Sequence, residues 1–154
     1  MRKRDKEVSD IAEIEAIISK ADVCRVALAN SNIPYIVTMN FGYQGGNEKK
    51  IYFHCANEGR KLDMIRKNNY VCFEMYTDHL VTSGKMACEF GMKYKSIIGY
   101  GYISFVNEID EKIAAFNNIM HHYTEGTRFD YDKIMVENTT ILRLDIQEIT
   151  GKRS

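Results

Sequence analysis

The stretch VCRVALANSNIPYIVTMNFGY, Val23 to Tyr43, decides the fold. Apolar and β-branched residues fill VCRVALAN (Val23–Asn30) and return in PYIVTMNFGY from Pro34, with only Ser31-Asn32 as a turn between the two runs. Strands joined so briefly lie antiparallel, as a β-hairpin, because a parallel pair needs a crossover of a dozen residues or more. Pro34 is the only proline of the chain, and the first residue of a strand tolerates its missing N–H.

Working outward, the polar run QGGNEKK (Gln44–Lys50) is a turn and IYFHCA (Ile51–Ala56) returns as a third strand. Asn57-Glu58-Gly59 breaks that strand, and Arg60-Lys61 starts a helix with Leu62, Met64 and Ile65 facing inward. The helix stops at Asn68-Asn69, residues that tolerate a left-handed cap. YVCFEMY (Tyr70–Tyr76) is a fourth strand; a polar loop with Gly84 follows, and MACEFGM has no readable period. KSIIGYGYISFVNE (Lys95–Glu108) is a long strand. Its Gly99 and Gly101 share a bare face, which implies a bulge or the close approach of another backbone or a flat ligand. Asp110 caps a helix with the stripe Ile113, Phe116, Met120 and Tyr123, FDYDKIMVEN is a short helical turn, and Thr139–Thr150 is a last strand with Leu142, Leu144 and Ile146 on one face. At the other end, Asp10 and Glu13 have capping-box spacing ahead of a helix with the stripe Ile11, Ile14, Ile17 and Ile18. About six mostly antiparallel strands with flanking helices make an α+β, mainly β, chain: a single domain, 1–154, built on a β-barrel.

Composition agrees. The chain has 154 residues, 45% of them apolar and 27% charged, which is the range of one globular domain rather than of disorder. With 21 basic and 21 acidic residues it has no net field to attract nucleic acid or an anionic membrane. The basic start MRKRDKEVSD lacks the apolar run of a signal peptide, and no segment has the length of a membrane span. A cytoplasmic location is expected. Cys24, Cys55, Cys72 and Cys88 are dispersed, with none in a C-x-x-C, and read as free thiols. His121 and His122 are adjacent and diverge by about 100° on a helix, so no metal site is expected.

Nucleophile elbows, P-loops and H-E-x-x-H helices are absent, and the residues alone leave the catalytic group unknown. The informative stretch is YFHCANEGRK, Tyr52 to Lys61. Two cations stand at the N-terminus of a helix, where the backbone already carries about half a positive charge. An anion there reverses the sense of that placement. The first N–H groups of the helix are free to bind phosphate, Gly59 lets the backbone approach, Arg60 offers a planar fork and Lys61 a point charge. The plainer alternative is that both side chains reach into water, with Glu58 partly offsetting them. Ten Tyr and seven Phe, without Trp, concentrate on the strands, where they wall a flat pocket or fill a barrel core and a dimer interface.

Taken in order, PYIVTMNF, IYFHCANEGRKLDMIRKN, VCFEM, YKSIIGYG, EKIAAFNNIMHHY and ILRLDIQEITGK resemble the pyridoxamine 5′-phosphate oxidase-like, FMN-binding split-barrel superfamily, and within it the nitroimidazole-resistance branch. The resemblance runs from about Arg2 to Lys152. It implies a split barrel and a homodimer with FMN at the subunit interface. Carried over by residue, it places the backbone of Thr38, Met39 and Asn40 along the flavin, His54 and Cys55 beside flavin and phosphate, Gly59, Arg60 and Lys61 at the phosphate, and Ser96 at the ring system. Two features of the vitamin B6 oxidases are missing. The strand Tyr35–Phe41 has no cation, and the chain ends ILRLDIQEITGKRS without the substrate-binding Trp and Pro. The resemblance therefore implies an FMN-dependent oxidoreductase for a small electrophile such as a nitroaromatic, with a nicotinamide electron donor. The alternative is a non-catalytic flavin- or haem-binding module, with His54, His121 or His122 as a haem ligand.

Overall fold

A computed structural model describes residues 6–154; Met1–Asp5, which include the first cations of the basic N-terminal stretch and the start of the family resemblance, lie outside the described residues. Among the described residues eight strands form one sheet: β1 (Glu7–Val8), β2 (Cys24–Asn30), β3 (Ile33–Met39), β4 (Gly42–Gln44), β5 (Lys50–Cys55), β6 (Tyr70–Thr82), β7 (Gly91–Val106) and β8 (Thr140–Arg153). Helices α1 (Ile11–Lys20), α2 (Arg60–Lys67), α3 (Ile109–Tyr123) and α4 (Lys133–Glu137) flank it. All pairings are antiparallel, in the order β3-β2-β6-β7-β8-β5-β4, with β1 added to β8. The two ends of that path, β3 and β4, are consecutive in the chain and joined only by Asn40-Phe41. The sheet therefore curls until its ends meet across a covalent link rather than a ladder, which is the split of the barrel.

The opening hairpin forms as its sequence requires. Ser31 and Asn32 both have positive φ, 49° and 63°, the primed turn that matches strand twist, and Asn30 pairs Ile33. Its second strand is shorter than the sequence suggests. The run from Pro34 is interrupted at Asn40-Phe41, because Phe41 turns into the core and its N–H bonds the Tyr123 hydroxyl at 3.1 Å instead of a ladder partner. Pro34 sits in an edge strand, the place where a missing N–H is harmless. β6 runs on to Thr82, past the expected end at Tyr76, through a bulge opened by Asp78 at φ 56°. β7 likewise starts at Gly91, before Lys95, and β8 extends to Arg153; long-range pairing, not local pattern, carries these polar segments. MACEFGM contains a 3₁₀ turn at Ala87–Glu89.

The main core lies inside the barrel, around Phe41, Phe53, Phe73, Met75, Ile97 and Leu144, closed by α1 and α2. Asp10 caps α1 as expected, accepting from the Glu13 N–H, but only Ile14, Ile17 and Ile18 of its stripe are buried; Ile11, in the first turn, is exposed. On α2, Leu62, Met64 and Ile65 are all buried, and the stop at Asn68 is extended (φ −149°) rather than left-handed. A second core lies between the outer face of β5, β7 and β8 and helix α3, made of Tyr52, Val106, Ala115, Ile119 and Ile141. Ala115 and Ile119, not the expected stripe, centre that contact, and Glu108 rather than Asp110 precedes the helix. The small residue allows close packing. At Gly42 an added β-carbon would stand 2.4 Å from Asn118 C and Ile119 N.

Gly99 and Gly101 are explained by the chain itself. A β-carbon at Gly99 would stand 2.3 Å from the Phe73 ring, and one at Gly101 2.2 Å from the Asp145 carbonyl oxygen. The β7–β8 register also shifts between Tyr100 and Gly101, so the bulge and the close backbone are both present, and no flat ligand is needed to account for the bare face.

Candidate functional site

Helix α2 begins where β5 ends. Gly59 is its N-cap at φ 132°, a conformation that favours glycine, with open space around its Cα. A glycine cap has no side chain to satisfy the first amides; the Leu62 and Asp63 N–H groups bond the Gly59 carbonyl at 2.9 and 3.3 Å, which leaves those of Arg60 and Lys61 available to a ligand. Arg60 and Lys61 follow directly. Among the described residues, no ion pair includes either cation. Arg60 rests its guanidinium over the Tyr35 ring of β3, 4.7 Å from the centroid, which orients it by cation–π attraction. Beside it lies a cleft of about 200 Å³ between Asn30 and Ile33 on one side and Arg60, Asp63, Met64 and Lys67 on the other. The α2 terminus is thus brought to the free edge of β3, and Tyr35, absent from the sequence reading, is the residue that joins them.

Among the described residues β3 pairs only β2, so one side of its backbone has no ladder partner there at Thr38. Thr38 and Asn40 are exposed at that edge and Met39 is buried. His54 and Cys55 are neighbours in sequence but point to opposite faces of β5. Cys55 is buried in the main core, and burial pushes its thiol pKa up, partly opposed by the Lys61 charge nearby. It is a neutral packing residue. His54 is exposed on the α3 side, its ring centroid 6.4 Å from that of Phe116.

Ser96 stands elsewhere. It pairs Tyr76 of β6 and lies on the outer face of the sheet, in a cleft of about 350 Å³ shared with Glu74, Tyr76, His79, Met92 and Tyr94. Thr38 is on that same face, since the row Thr38–Arg25–Glu74–Ile98 runs beside the row Tyr76–Ser96–Lys152. Arg25 ties the two rows together, 3.1 Å from Glu74 and 4.9 Å from the Tyr76 ring. Arg60, by contrast, meets β3 at Tyr35, whose row with Leu28 faces the core. One chain therefore gathers Gly59, Arg60 and Lys61 at the β3 edge, and Thr38 with Ser96 on the outer face, but does not unite the two groups.

The remaining histidines have structural partners. The His122 Nε2 is 2.7 Å from the Ala21 carbonyl oxygen and its ring lies 4.2 Å from Phe41, while His121 packs edge-on against Phe129. No cluster of three metal-ligating side chains occurs among the described residues. No helix of the described residues is long and apolar enough to cross a membrane.

The family model for pyridoxamine 5′-phosphate oxidase matches residues 10–153. A solved structure of a candidate 5-nitroimidazole antibiotic resistance protein from Bacteroides thetaiotaomicron is 32% identical, with a TM-score of 0.84 over 96% of this chain and 86% of that one. Two more distant structures share the fold. The flavocytochrome Anf3 of Azotobacter vinelandii has a TM-score of 0.81 at 16% identity, over 99% of this chain and 72% of that one. An FAD- and haem-binding protein of Mycobacterium smegmatis has a TM-score of 0.82 at 14% identity, over 97% and 73%. No curated protein sequence matches the chain.

Proposed function

We propose a function for this chain from one premise: it belongs to the pyridoxamine 5′-phosphate oxidase family. The chain is an FMN-binding flavoprotein that reduces a small electrophile such as a nitroaromatic, with electrons from a nicotinamide donor. One observation carries the reading: two cations with no carboxylate partner among the described residues stand at the end of α2 that has no side-chain cap, its positive pole, where a phosphomonoester dianion supplies the missing charge.

The residues present fit that group. Gly59 leaves the approach open, the Arg60 and Lys61 amides can donate to phosphate oxygens, and their side chains supply a fork and a point charge. The unpaired edge of β3 at Thr38–Asn40 offers backbone donors and acceptors to a planar heterocycle. FMN, when bound, supplies the redox chemistry, and the protein supplies binding and orientation. The proposal predicts a yellow protein on purification, or one that takes up FMN on titration with a flavin absorption spectrum. A colourless protein that binds no FMN would sink it, and a Soret band in its place would support a haem module instead.

The site is completed by a second chain. Ser96 and the α2 terminus are separated in one protomer, and the outer face between them is apolar: Ile36 is 65% exposed and Tyr102 48%, with Tyr70, Ile98 and Tyr100 beside them. A face of this kind on a folded chain is an interaction surface, and a homodimer covers it with a second copy of itself. Ile98→Asp together with Tyr100→Asp is expected to yield a monomer by light scattering, with FMN affinity reduced in parallel. A monomer that still binds FMN as tightly would place the whole site within one chain.

A further inference from the structure

We infer that Asn57 and Lys112 are positioning residues for the phosphate end of the flavin, acting through the turn between α4 and β8; this rests on the FMN reading above. Only four residues, Ala56 to Gly59, separate the end of β5 from Arg60. Within that loop, the Asn57 side chain is held at both of its polar atoms. Its Nδ2 donates to the Asn138 carbonyl at 2.6 Å, and its Oδ1 accepts from the Thr140 hydroxyl at 2.6 Å. Cys55 and Thr140 form the last pair of the β5–β8 ladder. Asn57 thus extends a finished ladder by one side chain and fixes the direction in which the loop leaves it.

The turn that receives Asn57 is itself clamped. Lys112, on α3, points its ammonium at three backbone carbonyls, those of Val136 and Glu137 at 3.2 Å and of Thr139 at 2.9 Å. The Met135 carbonyl accepts from the Thr139 hydroxyl at 2.7 Å, and the Asn138 carbonyl accepts from Asn57. Five consecutive carbonyls, 135 to 139, therefore have donors, and two side chains from distant elements supply most of them. The ends of α3, α4, β5 and β8 meet at this knot, and the anion-binding amides begin three residues after Asn57. Neither side chain needs to touch the cofactor. Their effect is to hold the loop in the binding geometry before the ligand arrives, which lowers the ordering cost of binding.

The test compares FMN with riboflavin, which has the ring but not the phosphate, by fluorescence titration of the dimer. Asn57→Ala removes two hydrogen bonds and is expected to weaken FMN about tenfold while riboflavin stays within about twofold of wild type. Lys112→Met shifts FMN in the same direction, and the double variant Asn57→Ala/Lys112→Met loses less than the sum of the two, because both act on one turn. In flavin-free protein, amide exchange of Leu62 and Asp63, whose N–H groups bond the Gly59 carbonyl, quickens in Asn57→Ala. Equal losses for FMN and riboflavin would mean general destabilisation and overturn the inference, as would unchanged FMN affinity in Asn57→Ala. A wild-type protein that binds neither flavin removes the FMN reading and this inference with it; a wild type that binds FMN with an indifferent Asn57 removes this inference alone.

Discussion

Replacing Arg60 and Lys61 together by alanine is expected to weaken FMN binding by about a hundredfold or more, with the thermal unfolding of the flavin-free protein unchanged. Each charge-assisted hydrogen bond to a phosphate contributes about 1.5–3 kcal/mol, so losing both sides of the cradle removes at least about 3 kcal/mol. The fold is spared because neither side chain has an ion-pair partner among the described residues, Arg60 is exposed, and the buried face of α2 consists of Leu62, Met64 and Ile65. Relieving two cations at the positive helix pole is even slightly stabilising when no anion is bound. Titration calorimetry with FMN and a melt without it separate the two effects. Unchanged affinity would leave the basic pair as ordinary solvated charge and remove its phosphate role.

A large loss of stability is expected from Gly42→Ala. The added methyl would meet the backbone of α3, 2.4 Å from both Asn118 C and Ile119 N, and a backbone cannot rotate aside as a side chain can. Either β4 or α3 must shift, and both are pinned: Phe41 is fully buried one residue before, and Ala115 and Ile119 are buried in the second core. Overpacking of this kind costs about 3 kcal/mol, which for a chain of this length lowers Tm by roughly 6–12 °C. Gly91→Ala serves as the comparison, since its added carbon meets only the Thr82 hydroxyl, at 3.0 Å. A Gly42→Ala protein that melts with wild type would show that α3 is not seated on β4 as described.

What could be read in the sequence and what could not divide along a physical line. The hairpin at Ser31-Asn32 was legible because two residues suffice to specify a tight turn, and Gly59-Arg60-Lys61 because its order of charges contradicts the helix dipole. Helix α1 was legible down to its cap, since Asp10 and the Glu13 amide are three residues apart. The break at Asn40-Phe41 was hidden, because its cause is a hydroxyl on Tyr123, 82 residues away. The outer halves of β6 and β7 were hidden too: TDHLVT and GMKY have no strand period of their own and are extended because they pair with each other. Ser96 and His54 were named from the sequence, but the faces they occupy follow from register, which a bulge can shift by one and so reverse. Asn57 looked like a mere strand breaker, since its two partners lie 81 and 83 residues further on. The bare face of Gly99 and Gly101 was read correctly as a close approach, but what approaches is Phe73 and the β8 backbone.

The place of β8 in the sheet has a bearing on how the molecule comes into being. Thr140–Arg153 sits between β7 and β5 and also carries β1, so it touches strands from the start, middle and later part of the chain. While a ribosome is still making residues before Thr140, the nascent chain can assemble β3-β2-β6-β7 as one partial sheet and β4-β5 as another, with no strand to bridge them. Both partial sheets then expose an unpaired edge to any neighbour, and the gap closes only when β8 slides into the middle. The same strand ends the β5 ladder at Thr140, the residue that holds Asn57, so the loop from Ala56 to Gly59 lacks that anchor until β8 is in place.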